Sequence, residues 1–211
     1  MGGDIGGRKS ERVFAHALET LKRDGSNVLF VGDVDAHVHA CERLFGETDE
    51  DDRYRLVVTA GCSEPSVLTQ DERTEHVAFR PDECRVVPET ARRVETVDAL
   101  GTALVEAIAD LEDVAGEFDA GQLRVCVDSL EALLEGHSPE AIFRLLHVVT
   151  ARTQLVDGLG HYHLRRDRSH ETVRLFEPLF DVIVEVRTRD GVTEGRWRLR
   201  NRNTTSDWLP F

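Results

Sequence analysis

The feature that most constrains the fold is a set of short, continuous apolar runs separated by much longer segments. The runs are NVLFVG, YRLVVTA and LRVCV, which begin at positions 27, 54 and 123. A strand with only one buried face alternates apolar and polar residues, whereas a strand that is covered on both faces is apolar throughout. These runs therefore predict a mainly parallel sheet in a three-layer α/β domain.

Helical periodicity and capping residues mark the segments between the strands. Ser138 and Pro139 are a suitable N-cap and first turn, and Ser169 is expected to cap the helix that runs towards Phe176. Apolar residues at helical spacing predict helices over 10–24, 36–45, 97–118, 140–156 and 169–176, with a short helix near 65–71.

The remaining apolar segments predict short strands in HVAF, CRVV and LGHYHL, followed by a C-terminal antiparallel hairpin. The hairpin joins FDVIVEVRT to RWRLRN around Asp190 and Gly191, two residue types that tight hairpin turns favour. We expect one domain over 10–211, preceded by a flexible tail over 1–9. The tail lacks the apolar segment of a signal peptide and no run reaches membrane-spanning length, which predicts a cytoplasmic protein without a membrane partner.

The charge balance is strongly acidic. The chain has 40 acidic and 26 basic residues, for a formal net charge of −14, and all of its basic residues except Lys9 and Lys22 are arginines. Such a surface repels itself in dilute salt and is screened in concentrated salt, so the composition indicates adaptation to molar salt. It also disfavours a nucleic-acid partner, with the arginine-rich segments HLRRDRSH and GRWRLRNR as local exceptions.

The segment after the first strand occupies the place of a phosphate-binding loop but lacks its residues. Such a loop reads G-x-x-x-x-G-K-[ST], in which the lysine neutralises phosphate charge and the hydroxyl binds magnesium. Counting from Gly32, the second glycine is replaced by His37, the lysine by Val38 and the hydroxyl residue by His39. These replacements argue against ordinary binding of magnesium–ATP.

Carboxylates flank the same position. Asp33 and Asp35 bring negative charge to the place where a triphosphate would lie. The strand RVCV is followed by Asp128 and Ser129, the pattern that holds the hydrated magnesium ion in nucleotide sites. The alternative is structural, because either residue is also a good N-cap for the segment LEALLEG that follows.

Taken together, the chain resembles the RecA/KaiC-like branch of the P-loop ATPases, and more narrowly a haloarchaeal family of RecA-like proteins. The resemblance lies in NVLFVGDVDAHVHA, YRLVVTA, RVCVDSLEALL, ETVRLFEPLFDVIVEVR and GRWRLRN. It implies a three-layer RecA-like core in which GHYHL lies beside VLFVG, and it implies ATP hydrolysis. The chain departs from the family at the missing lysine and at GCSEP, where only Glu64 stands in place of a catalytic glutamate pair.

These departures predict a non-catalytic pseudo-ATPase, because the groups that stabilise the transferring phosphate are missing. We expect a regulatory or scaffolding protein that needs no cofactor and acts on a protein partner or by self-association through its RecA-like faces. The alternative is an atypical nucleotide-binding protein or ATPase, in which Asp128 and the backbone amides of 33–36 hold ATP and magnesium.

A metal site is a further alternative. His37 and Cys41 share one face of a predicted helix, from which His39 points away, and His161 and His163 share one face of a predicted strand. In a RecA-like strand order both pairs would lie near the carboxyl edge of the sheet, where histidine, cysteine and carboxylate ligands suit zinc. The competing interpretation is that solvated histidines fill a vacated pocket.

The four cysteines show no metal-binding or disulfide pattern. Cys41, Cys62, Cys84 and Cys126 form no CxxC pair, so we expect reduced and mostly buried thiols.

The terminal segment SDWLPF carries three large apolar side chains, which either dock on the domain's own core or form an interface: Trp208, Leu209 and Phe211.

Overall fold

A mixed α/β architecture is seen in the computed structural model, which describes residue 23 and residues 25–32, 52–60, 72–80, 87–200 and 204–210. Several predicted elements lie outside these residues. They are the tail over 1–9, most of the helix over 10–24, the helices over 36–45 and 65–71, and positions 84–86 of CRVV.

The described strands form one ten-stranded sheet in the order β10-β8-β7-β1-β6-β5-β2-β3-β4, with β9 beside β8. The strands from β7 to β4 pair in parallel, whereas β8, β9 and β10 pair antiparallel. Their bounds are β1 Ser26–Gly32, β2 Tyr54–Ala60, β3 Thr74–Phe79, β4 Arg92–Val94, β5 Leu123–Val127, β6 Leu159–Leu164, β7 Val182–Arg189, β8 Val192–Leu199, β9 Thr204–Thr205 and β10 Leu209–Pro210.

The described helices are α1 Val97–Ala115, α2 Leu130–Leu134, α3 Pro139–Leu155 and α4 Glu171–Phe176, which continues into a 3-10 turn over Glu177–Leu179. Ser138 caps α3 as predicted, since its side chain accepts a hydrogen bond from the amide of Ala141. The predicted cap of α4 is wrong. His170 caps this helix through Nδ1, whereas Ser169 instead hydrogen-bonds to Asp167.

The sheet has two faces that are built from alternate residues of each strand. On one face, here called the helical face, odd-numbered residues of β1 and β5 pack with the helices in a large apolar core, for example Leu29, Val125, Leu104 and Leu146. The other face is here called the second face. It carries Val28 and Phe30 of β1, which pack with β7, and buried polar residues of the central strands: Arg55, Arg124, Cys126, His161 and His163.

The strands are the best-predicted part of the chain. The pairing of LGHYHL with VLFVG is confirmed by the parallel register of β6 on β1.

The helix over 97–118 ends earlier than predicted, at Ala115, because Gly116 takes a positive φ of 85°. Phe118 lies beyond it and its ring packs on Tyr54, 5.4 Å between centroids. Strand β4 was not predicted, and the one described residue of CRVV, Val87, is not in a strand.

The C-terminal segment docks on the domain itself. Strand β10 pairs with β8, and Leu209 packs against the apolar cluster of the second face. The guanidinium of Arg187 lies 3.8 Å from the centroid of the Trp208 ring. Phe211 lies outside the described residues. Docking on the domain's own core is therefore confirmed for Leu209, whereas Trp208 packs against arginine side chains of β7 and β8.

The fold class is confirmed at the level of an α/β protein with a mainly parallel sheet and a C-terminal antiparallel hairpin. The hairpin turns at Asp190 and Gly191, with φ of 52° and 77°, as its sequence predicts. None of the helices in the described part of the chain has the length and apolar character needed to span a bilayer.

Candidate functional site

The carboxyl ends of the central strands meet at one edge of the sheet. Strand β1 ends there at Gly32, Asp128 follows β5, and Arg165 follows β6. Strands β1 and β6 are neighbours, but the chain runs from β1 past β6 to β2, and from β6 past β1 to β7. The two connections thus run in opposite directions along the sheet, and in open parallel sheets ligands bind outside the carboxyl ends of the strands where the strand order reverses.

Gly32 is held at this edge by its contact with β7. Its φ is +118°, and a Cβ at this position would lie 2.2 Å from the carbonyl oxygen of Val186. No side chain fits that approach, so the β1–β7 pairing alone explains the glycine. Strand packing therefore explains the glycine that begins the predicted phosphate loop, without any role for a bound phosphate.

Asp128 joins the ends of two strands. Its Oδ1 accepts a hydrogen bond from the amide of Ala60 at 3.1 Å, and its own amide donates to the carbonyl of Val58 at 3.2 Å. The residue is only 5% exposed. Its carboxylate therefore extends the β2–β5 ladder by one side-chain link.

Ser129 has the structural role that the sequence left open. Its Oγ accepts a hydrogen bond from the amide of Ala132 at 3.4 Å and caps α2. The capping alternative is thus confirmed for Ser129, whereas Asp128 bonds across to β2 instead. The other residues predicted at this edge lie outside the described residues: Asp33, Asp35, His37, His39 and Cys41.

A charged group at the same edge was not predicted as a site. Glu131 of α2 lies with its Oε1 3.9 Å from Nε of Arg166, and the Arg166 guanidinium also contacts Nε2 of His170 at 2.9 Å. Burial raises the pKa of Glu131, and the positive charge of Arg165 opposes that rise. The sequence showed these arginines only as part of HLRRDRSH, because nothing local indicates that β6 ends beside α2.

The two arginine-rich segments lie on either side of one pocket. It is lined by Arg168 from one segment, by Arg196 and Arg198 from the other, and by Arg174 of α4. Acidic side chains pair with three of these four arginines: Glu177 with Arg168 and Arg198, and Glu185 with Arg196. The two glutamates therefore offset two of the four positive charges that line the pocket.

The two predicted metal-ligand histidines of β6 lie together on the second face. The ring centroids of His161 and His163 are 5.4 Å apart with an interplanar angle of 84°. Cys126 of the neighbouring strand joins them, since its Cα is the register partner of His161. One donor atom from each of the three side chains lies within 4.8 Å of the other two, and each residue is 2% exposed.

The position of this cluster differs from the prediction. His161 pairs with Val28 and Cys126 in the middle of the sheet and not at its carboxyl edge. The predicted partners His37 and Cys41 lie outside the described residues. Cys126 was predicted only as a buried reduced thiol, which the structure confirms. Its place on the same face as Asp128 was visible from their spacing, but the register against β6 was not.

The chain belongs to a family of unknown function, DUF7504, whose match covers residues 25–186. The matched range runs from the start of β1 into β7 and so includes every described residue of the carboxyl edge and of the Cys126, His161 and His163 cluster. No curated protein matches the chain.

Proposed function

We propose that this member of the DUF7504 family is a non-catalytic, RecA/KaiC-like pseudo-ATPase that acts as a regulatory or scaffolding module through protein–protein contacts. The order β7-β1-β6-β5-β2 supports the RecA-like part, because β6 lies beside β1 as the sequence resemblance implied. The connections that leave β1 and β6 in opposite directions along the sheet support a former ligand crevice at the carboxyl ends of these strands.

The burial and hydrogen bonding of Asp128 are the observation on which the proposed loss of catalysis rests. Mg²⁺ keeps several of its water ligands, so a carboxylate that holds a hydrated ion needs to face a hydrated space. Asp128 is nearly enclosed, and one carboxylate oxygen is committed to the amide of Ala60. This geometry favours a structural role for the residue that most resembles a magnesium ligand.

The sequence supports the same conclusion. A phosphoryl-transfer site depends on cations and donors that are aimed at the developing charge. Here the lysine position is Val38, with His37 and His39 on either side. At the described edge, Arg166 contacts Glu131 and His170. The residues at this edge of the sheet therefore maintain the fold, and the protein acts through its surface.

Nucleotide-dependent stabilisation tests this part of the proposal. The full chain, in molar KCl with Mg²⁺, is heated with and without ATP, ADP or GTP, and phosphate release is measured in parallel. A ligand that binds the native state raises its stability, so we expect no shift with any nucleotide and no turnover. Asp128→Asn, which keeps a carbonyl oxygen for the Ala60 amide, is compared with Asp113→Asn, a change at an exposed position of α1. A saturable ATP shift or turnover that Asp128→Asn removes and Asp113→Asn keeps would establish nucleotide binding instead.

The contact surface in the proposal is the groove between α1 and α3. Val97, Val105 and Leu145 line it, and Val148 is 48% exposed at its border. Exposed Glu106 on α1 and exposed Arg144 on α3 give the groove one charge of each sign. Two copies related by a twofold axis would place unlike charges opposite each other, which makes a second copy of the chain the favoured occupant.

Sedimentation velocity over a range of protein concentrations tests this contact. We expect the wild-type chain to self-associate and Val148→Asp to remain monomeric, because a buried unpaired carboxylate disrupts an apolar contact. Val192→Asp is the matched control, since Val192 of the hairpin is 49% exposed and lies away from the groove. A wild-type monomer at every concentration, or equal effects of the two variants, would contradict self-association through α1 and α3.

A further inference from the structure

Three buried side chains with metal-binding donor atoms lie at adjoining positions of the second face. Cys126 and His161 are direct neighbours across β5 and β6, and His163 is the next residue of β6 on the same face. A thiol and two imidazoles converge here from two adjacent parallel strands. We infer that Cys126, His161 and His163 form a binding site for a transition-metal ion, with Zn²⁺ as the favoured ion.

The distances suit a single ion after small side-chain movements. Zinc binds sulfur at about 2.3 Å and imidazole nitrogen at about 2.0–2.1 Å, so ligand atoms of one tetrahedral ion lie about 3.3–3.6 Å apart. The three donor atoms lie within 4.8 Å of one another. Rotation about the side-chain bonds closes a gap of this size without moving the strands.

Strand pairing and an aromatic neighbour position the ring of His163. The ring of His163 stacks on Phe30 of β1, 5.2 Å between centroids and 17° between planes, and Trp197 meets Phe30 edge-on. Valines of β1 and β7 extend this apolar wall. The paired strands fix the backbone positions of the three residues, so ion binding needs only rotation of their side chains.

The donor set selects the class of ion. One thiolate with two imidazoles suits Zn²⁺ and related transition metals, whereas Mg²⁺ and Ca²⁺ require oxygen ligands. The next residue in this direction on the sheet, His76, is separated from Cys126 by Val57 of β2 and is therefore not a neighbour. Three protein ligands leave a fourth coordination position for water or another ligand.

The test uses the full chain, purified without an affinity tag in molar KCl and freed of metal by dialysis against a chelator. Co²⁺ is added first, because a thiolate-bound Co²⁺ ion gives a charge-transfer absorption in the near ultraviolet that surface carboxylates do not give. We expect this band to saturate at one equivalent, to disappear when Zn²⁺ replaces Co²⁺, and to be absent in Cys126→Ser. His161→Gln and His163→Gln each remove a ligand, so they are expected to weaken binding by at least the roughly 10–100-fold that loss of an outer-shell partner costs.

His147→Gln is the matched control, because His147 lies exposed on α3, outside the cluster. Circular dichroism and thermal unfolding of each metal-free variant establish that it folds. X-ray absorption of the zinc-loaded wild-type chain does not depend on any variant, and we expect one sulfur and two imidazole nitrogens around the ion. Absence of stoichiometric binding, a shell of oxygen ligands alone, or equal binding by Cys126→Ser would overturn the inference.

Discussion

On the helical face, β5 presents Leu123, Val125 and Val127, whereas on the second face the same strand presents Arg124 and Cys126. Strand β6 repeats the contrast, with Tyr162 on the helical face and two histidines on the second. All of these residues are buried, so burial itself does not distinguish the faces. The two faces differ in the buried polar side chains that they carry and in the contacts that these side chains make.

The helical face contains few polar groups, and its main network is closed within the described residues. The side-chain amide of Asn27 donates to the carbonyl of Thr150 at 3.1 Å, and its oxygen accepts from the hydroxyl of Tyr162 at 3.2 Å. Burial raises the pKa of Tyr162, so this hydroxyl stays protonated as a donor. The helical face is thus organised for stability, whereas the second face places metal-binding donors side by side.

The largest effect is expected from the apolar core of the helical face. Ile108→Ala in α1 removes a fully buried side chain and leaves a cavity, at a cost of about 2–5 kcal/mol. Cys126→Ala on the second face is expected to cost only about 1 kcal/mol in the absence of metal. Chemical unfolding in molar KCl measures both. Equal costs would remove the distinction between a stability face and a binding face.

A smaller loss is expected from the polar network of the helical face. Asn27→Ala removes two buried hydrogen bonds, one to the Thr150 carbonyl and one from the Tyr162 hydroxyl, which is expected to cost about 2–3 kcal/mol. Tyr162→Phe removes the hydrogen bonds of the hydroxyl with Asn27 and Thr153 and keeps the ring, so its cost is expected to be about 1–2 kcal/mol. Unfolding curves of the two variants and of the double variant measure their coupling. Additive effects would show that the three groups do not act as one network.

The smallest effect concerns Glu131, an incompletely paired acid next to the helical core. Its raised pKa means that its contribution to stability is present below its unfolded value of about 4.3 and is lost as the pH rises through the folded value. Glu131→Gln removes this loss, so the variant is expected to be the more stable form at neutral pH and to lose its advantage in acid. Thermal unfolding across this pH range measures the difference. Greater stability of the wild type at neutral pH would show that its arginine contacts outweigh burial.

Local patterns predicted the elements well, because strand and helix periodicity depends on neighbouring residues. The strands β1, β2, β5 and β6, the cap at Ser138 and the turn at Asp190 and Gly191 were all visible in this way. The cap of α4 was not, since Ser169 and His170 both offer an acceptor and the contact with Asp167 decided between them. Strand β4 was missed because its three residues, RRV, carry no apolar run.

The sequence by itself determined that the chain forms buried strands joined by helices, that the phosphate-loop lysine is replaced, and that His161 and His163 point the same way. Only the tertiary structure decided that Cys126 lies beside His161, that Asp128 bonds to Ala60, and that Gly32 abuts β7. The reason is physical. Periodicity is a property of one strand, whereas register and close approach are set between strands that are distant in the chain, by the packing of the whole sheet.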